Sequence, residues 1–70
     1  MAELSVFYDR EGHTLTVWFS DRRQEHMCEE TGDEVVLMKD SAGRVIGFEK
    51  LNFSIPDTEG LRVAIETTPA

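Results

Sequence analysis

The chain holds one cysteine, two prolines, one tryptophan and half as many basic as acidic side chains, seven against fourteen in 70 residues. Each shortage excludes something. A lone Cys28 cannot build an intrachain disulfide framework or a four-cysteine zinc site, and it points to a reducing setting. The longest apolar run, Val35-Val36-Leu37-Met38, falls far short of the roughly 20 residues that carry a helix across a bilayer. The first residues form no basic-then-apolar leader, so a cytoplasmic location is expected. Arg22-Arg23 is the one basic pair in a chain of net charge −7. Nucleic acids and anionic membranes bind basic groups that displace their counterions, so neither is expected as a partner. Glycines at 12, 32, 43, 47 and 60 are scattered rather than gathered into a phosphate-cradling loop, and no cofactor is expected.

What the chain does have is a repeated turn. Asp9-Arg10-Glu11-Gly12, Asp40-Ser41-Ala42-Gly43 and Asp57-Thr58-Glu59-Gly60 all read Asp-x-x-Gly. An Asp side chain accepts backbone N–H bonds at the start of such a turn, and a glycine tolerates the positive φ that reverses the chain. The turns therefore predict hairpins closed by Asp9 and Gly12, Asp40 and Gly43, and Asp57 and Gly60. Leu15, Val17 and Phe19 alternate with Thr14, Thr16, Trp18 and Ser20, a period of two rich in β-branched and aromatic residues. Leu4, Val6 and Tyr8 alternate likewise, as do Leu61, Val63 and Ile65.

Strands are expected over residues 3–8, 14–20, 34–39, 44–54 and 61–67, with Pro56 ending or kinking the fourth because it lacks an N–H. Residues 21–33 are ambiguous. Asp21 with Gln24 resembles a capping box, yet only Met27 and Cys28 offer an apolar stripe, which favours a short strand around 25–29 and a turn at Thr31-Gly32-Asp33. The expected class is all-β, an antiparallel meander of five or six short strands in one domain; a short helix within 21–31, making the class α+β, is the alternative.

Apolar side chains occur on both faces of the inner strands, Phe19 against Trp18 and Val45 against Ile46 and Phe48. A chain this short exposes roughly 11,600 Å² unfolded and about 4,500 Å² folded, burying only ~60%. One copy cannot cover both faces of such a sheet, so a homodimer or higher homo-oligomer is expected, joined through the second face or a strand edge. Trp18, Gly47, Phe48 and Phe53 are the candidate interface or core residues. Gly47, inside an apolar strand, marks a bulge or a close approach, and Trp18 covers it if their strands are neighbours.

The run Val6-Phe7-Tyr8-Asp9, Leu15 through Ser20, Asp33 through Leu37, Asp40 through Glu49 and Leu51-Asn52-Phe53-Ser54 resembles the domain-of-unknown-function family numbered 2283. The resemblance covers roughly residues 4–54 and departs at Gly12-His13, where the family tends to have a small residue followed by Asp. It implies a small β-rich fold and no reaction type.

Four constellations bear on chemistry. His26, Cys28 and Glu30 project from one face if their segment is a strand, and that donor set suits a divalent ion such as zinc, although no recognised ligand spacing accompanies it. Ser20 beside Asp21, or Cys28 near His26, are the formal nucleophile arrangements, but neither sits in a nucleophile elbow and no catalytic residue is assigned. Glu29-Glu30 and Asp33-Glu34 read as a solvated acidic rim. Trp18, Phe48 and Phe53 could line a small-ligand pocket, though burial is the commoner use of aromatics in so small a domain. The expected function is a small acidic, non-catalytic, homo-oligomeric interaction or scaffold module. A basic protein partner suits the acidic segment from Glu25 to Glu34; the alternative is a ligand- or metal-binding protein using His26, Cys28 and nearby aromatics.

Overall fold

The computed structural model describes residues 3–69 as a five-stranded antiparallel sheet. The strands are β1 (Ser5–Asp9), β2 (Thr14–Trp18), β3 (Met27–Glu30), β4 (Val35–Lys39) and β5 (Val45–Lys50). One 3-10 turn, Arg22–Gln24, is the only helical element among the described residues, so the fold is all-β and the helix considered for 21–31 is not formed. No helix there is long and apolar enough to cross a membrane.

The sheet order is β1-β2-β5-β4-β3. Tight turns join β1 to β2, β3 to β4 and β4 to β5, while residues 19–26 carry the chain from β2 to the far edge, where β3 pairs with β4. The last strand in sequence thus becomes the middle of the sheet. Its register with β4 shifts between Met38 and Lys39: Met38 pairs with Gly47 and Lys39 with Val45, leaving Ile46 as an extra residue. That is the two-against-one count of a β-bulge.

The first two Asp-x-x-Gly segments do close hairpins. Asp9 accepts from the backbone N–H groups of Glu11 at 3.1 Å and Gly12 at 2.9 Å, and Asp40 from those of Ala42 at 3.0 Å and Arg44 at 2.9 Å. Gly43 takes φ +81°, but in the first turn the left-handed residue is His13 at φ 56°, not Gly12. The third segment differs. Gly60 has no positive φ, Asp57 turns to Arg10 at 3.9 Å, and no strand follows, so the strand expected over 61–67 is absent. An alternating apolar pattern needs an edge to pair with, and the sequence pattern alone supplies none. The fourth expected strand is also shorter than 44–54: it ends at Lys50, before Pro56, because Asn52 adopts φ 54° and redirects the chain. Asn is one of the few residues that tolerate this.

Residues paired across antiparallel strands share a face. One face carries Val6, Tyr8, Leu15, Val17, Leu37 and Phe48, and the chain after β5 returns over it. There the Phe53 ring meets Tyr8 edge-on at 5.7 Å, the Ile55 N–H donates to the Tyr8 hydroxyl at 3.0 Å, and Phe19 lies 5.9 Å from Phe48. The opposite face carries Phe7, Thr16, Trp18, Gly47, Glu49, Val36, Met38, Cys28 and Glu30. Among the described residues only Met38 and Ile46 of the large apolar side chains are buried, each 5% exposed.

Trp18 stands opposite Gly47 across β2 and β5. A Cβ on Gly47 would lie 2.8 Å from the indole Cε3 and 2.7 Å from the carbonyl oxygen of Val17, so nothing but glycine fits without movement. Gly47→Val is therefore expected to cost about 1–3 kcal/mol, the usual range for overpacking, as read by chemical denaturation; an unchanged midpoint would refute the close contact.

Asp40 gives a pH test. The backbone N–H of Arg44, that of Ala42 and the Arg44 guanidinium at 3.4 Å hold its carboxyl below the ordinary value of 3.8. A folded pKa that is depressed adds stability above the ordinary value, and this is lost as the pH falls through the folded one. Asp40→Ala should lower stability at neutral pH, and its deficit against the unmodified chain should shrink in denaturation curves taken below about pH 4.

Candidate functional site

The opposite sheet face forms the floor of a shallow groove of about 370 Å³. Its position follows from the strand order. Only because β5 inserts beside β2 do Trp18, Met38 and Cys28 fall in one row, with Phe7, Thr16, Glu49 and Val36 in the next. The indole packs against the β5 backbone because Gly47 leaves its place free: a Cβ there would lie 2.8 Å from the indole Cε3. Residues 19–26 cross the end of the sheet, and from them Arg22 and Glu25 form one wall.

The electrostatics are unevenly satisfied. Glu49, half-buried, accepts a weak 3.5 Å bond from the Thr16 hydroxyl. Glu25 accepts from the Cys28 thiol at 2.8 Å. Neither carboxylate has an ion-pair partner among the described residues, and neither does Arg22. The bond to Glu25, some burial and the charges of Glu25 and Glu49 raise the Cys28 pKa above 9.0. A nucleophilic thiolate needs the reverse shift.

A second, polar notch of about 630 Å³ lies at the end of β1 and β2, lined among others by Ser5, Trp18, Ser20, Asp21 and Arg23. Two of its charges are matched to each other: Arg23 donates to both Asp21 carboxylate oxygens, at 2.8–3.1 Å, and holds that acid at about 2, while Arg22 also lines the notch.

The residues singled out from the sequence are placed as follows. His26, Cys28 and Glu30 alternate along the β3 edge, but the thiol turns to Glu25, and the described residues include no group of three His, Cys, Asp or Glu able to hold a metal ion. The His26 N–H extends the ladder by donating to the Lys39 carbonyl at 2.8 Å. Asp21 is engaged by Arg23 rather than by Ser20. Glu29 and Glu30 point to opposite faces, and Glu29 is tied to Lys39 at 3.0 Å, as Glu34 is to Lys50 at 3.3 Å. Trp18, Phe48 and Phe53 do not share a pocket, because Trp18 alone lies on the groove face. Phe7, Met38, Glu49 and Arg22 were not legible as groove residues. The period-two pattern puts Phe7 and Thr16 each on a face of its own strand, and only the pairing register makes those faces one.

Residues 5–54 match the family described as "Protein of unknown function (DUF2283)". The chain belongs to this family. The DUF2283 match spans all five strands and ends at Ser54, so the groove lies within the family unit and the exposed segment 56–69 outside it. No curated protein and no solved structure matches the chain.

Replacing Glu25 by Gln removes the carboxylate that holds the Cys28 proton. Absorbance titration of the thiolate should show the Cys28 midpoint move down toward the ordinary thiol value, and an unmoved midpoint would exclude Glu25 as the cause.

Proposed function

We propose that this DUF2283 chain is a non-catalytic interaction module that works as a homo-oligomer, at the least a dimer. The observation that carries this reading is the exposed area. The chain exposes 5818 Å². A compact monomer of 8.0 kDa exposes about 4,500 Å², and the excess of about 1,300 Å² is shared between the sheet and the exposed terminal segment 56–69. Each partner in a standard interface contributes about 800 Å², and obligate homodimers contribute about 1,000 Å² or more.

The excess is apolar in part. Phe7 is 64% exposed and Met27, Phe19 and Val45 about half, while Leu61, Val63 and Ile65 stand out along the terminal segment. A single-layer sheet with two buried apolar residues gains most simply from a second copy of itself. The lone free thiol suits a reducing, cytoplasmic setting.

A basic protein is the second partner this reading admits. Glu30 and Asp33 have no cationic partner among the described residues, and nine of the fourteen acidic residues precede Val35. Attraction of this kind speeds encounter and weakens with salt.

Sedimentation equilibrium and native mass spectrometry over a range of concentrations test the homo-oligomer. A dimer or larger species at micromolar concentration is expected; a folded monomer throughout would overturn the reading.

A further inference from the structure

We propose that the terminal arm, residues 61–67, adds itself as a further strand to the outer edge of β1 in a second copy, and that the second copy returns the exchange about a two-fold axis. This rests on the homo-oligomer reading above and names the contact that makes it.

The arm is patterned as a strand and has nothing to pair with. Leu61, Val63 and Ile65 alternate with Arg62, Ala64 and Glu66, the period of a half-buried strand. Every residue from 56 to 69 is exposed, those three apolar side chains by 40%, 52% and 69%. Among the described residues, no backbone hydrogen bond involves residues 61–69. The chain is instead clamped just before the arm, beside the turn that joins β1 to β2. There Arg10 donates to the Glu59 carbonyl at 2.9 Å and reaches Asp57 at 3.9 Å, and the Glu59 N–H closes a turn on the Pro56 carbonyl at 3.0 Å. Gly60 has no positive φ to bring the arm back onto its own β1. The radius of gyration is accordingly 13.6 Å, against about 11 Å for a compact chain of this length.

β1 offers the matching edge. The sheet order leaves β1 and β3 outermost, and no backbone bond reaches the outer side of β1 among the described residues. An open edge is a template for another strand, held by main-chain bonds and selected by alternate side chains. Laid antiparallel with Val63 opposite Val6, the arm sets Leu61 beside Tyr8 and Ile65 beside Leu4, which is 47% exposed. Its apolar side then extends the apolar face of the sheet. At β3 the same side would meet Glu29 on one face or Glu30 on the other.

The arm departs from one end of β1, so two β1 edges facing each other about a two-fold axis place each arm at the start of the other copy's edge. The contact is made twice, and exchange of an identical element is a low-cost route to a dimer.

Because the arm makes no pairing in its own chain, it can be altered in the full-length protein without touching the sheet. Val63→Pro should leave the circular dichroism of the sheet unchanged and raise the dimer dissociation constant by about 10-fold or more in sedimentation, since proline cannot donate to a ladder. Copies carrying Val6→Cys are then mixed with copies carrying Val63→Cys, each also Cys28→Ser, and oxidised at micromolar concentration. A disulfide joining the two kinds of chain is expected. A chain carrying both cysteines that closes the bond within itself would overturn the exchange, because the arm then lies on its own β1. A dimer that withstands Val63→Pro and yields no mixed disulfide would overturn the arm contact while leaving the homo-oligomer intact. A monomer at every concentration would overturn both.

Discussion

The contact between the Trp18 indole and Gly47 is the constraint on which the rest of the sheet depends. It joins β2 to β5, two strands far apart in sequence whose pairing makes two hairpin units into one sheet. Were a side chain present at position 47, it would meet both the indole and the Val17 carbonyl at under 3 Å. The bulge at Ile46 lies next to this contact and bends β5 where it passes between its two neighbours. Glycine weakens most strands by leaving nothing to pack; here the missing side chain lets the neighbour's ring supply the packing instead.

A single layer built this way has a consequence for charge as well as for burial. Side chains on each face must be covered by something, and the segment after β5 covers only one of them, through Phe53 and Ile55. The groove face mixes apolar residues with Glu49, Glu25 and Arg22, and its Met38 is already buried. Several charges elsewhere are paired locally, Asp21 with Arg23, Glu29 with Lys39, Glu34 with Lys50 and Asp40 with Arg44, whereas Glu30 and Asp33 have no such partner among the described residues. Exposed pairs of this sort add little stability each.

The legibility of the sequence varied with the range of the interaction that decided each feature. Asp9 and Asp40 announce their turns because the bonds they accept lie within four residues. Asp57-Thr58-Glu59-Gly60 has the same letters and no hairpin, because a turn becomes a hairpin only when the strand after it finds an edge, and the segment 61–67 finds none in this chain. The short strand at Met27–Glu30 was legible mainly by elimination, since two apolar residues cannot make a helical stripe. Phe48 and Phe53 were grouped with Trp18 as aromatics of one small domain, yet the sheet lies between them.

By itself the sequence pointed to the all-β class, the approximate places of the strands that form, the two working turns, the acidic balance and the solitary thiol, because each depends on residue type and on neighbours a few positions away. The tertiary structure alone decided that β5 is central, that Phe7, Trp18, Glu49, Met38 and Cys28 face one groove, and that the terminal segment stays unpaired. A period of two says that side chains alternate, but which alternation meets which is settled by long-range pairing, and that pairing is written in the fit of Trp18 on Gly47 rather than in any local pattern.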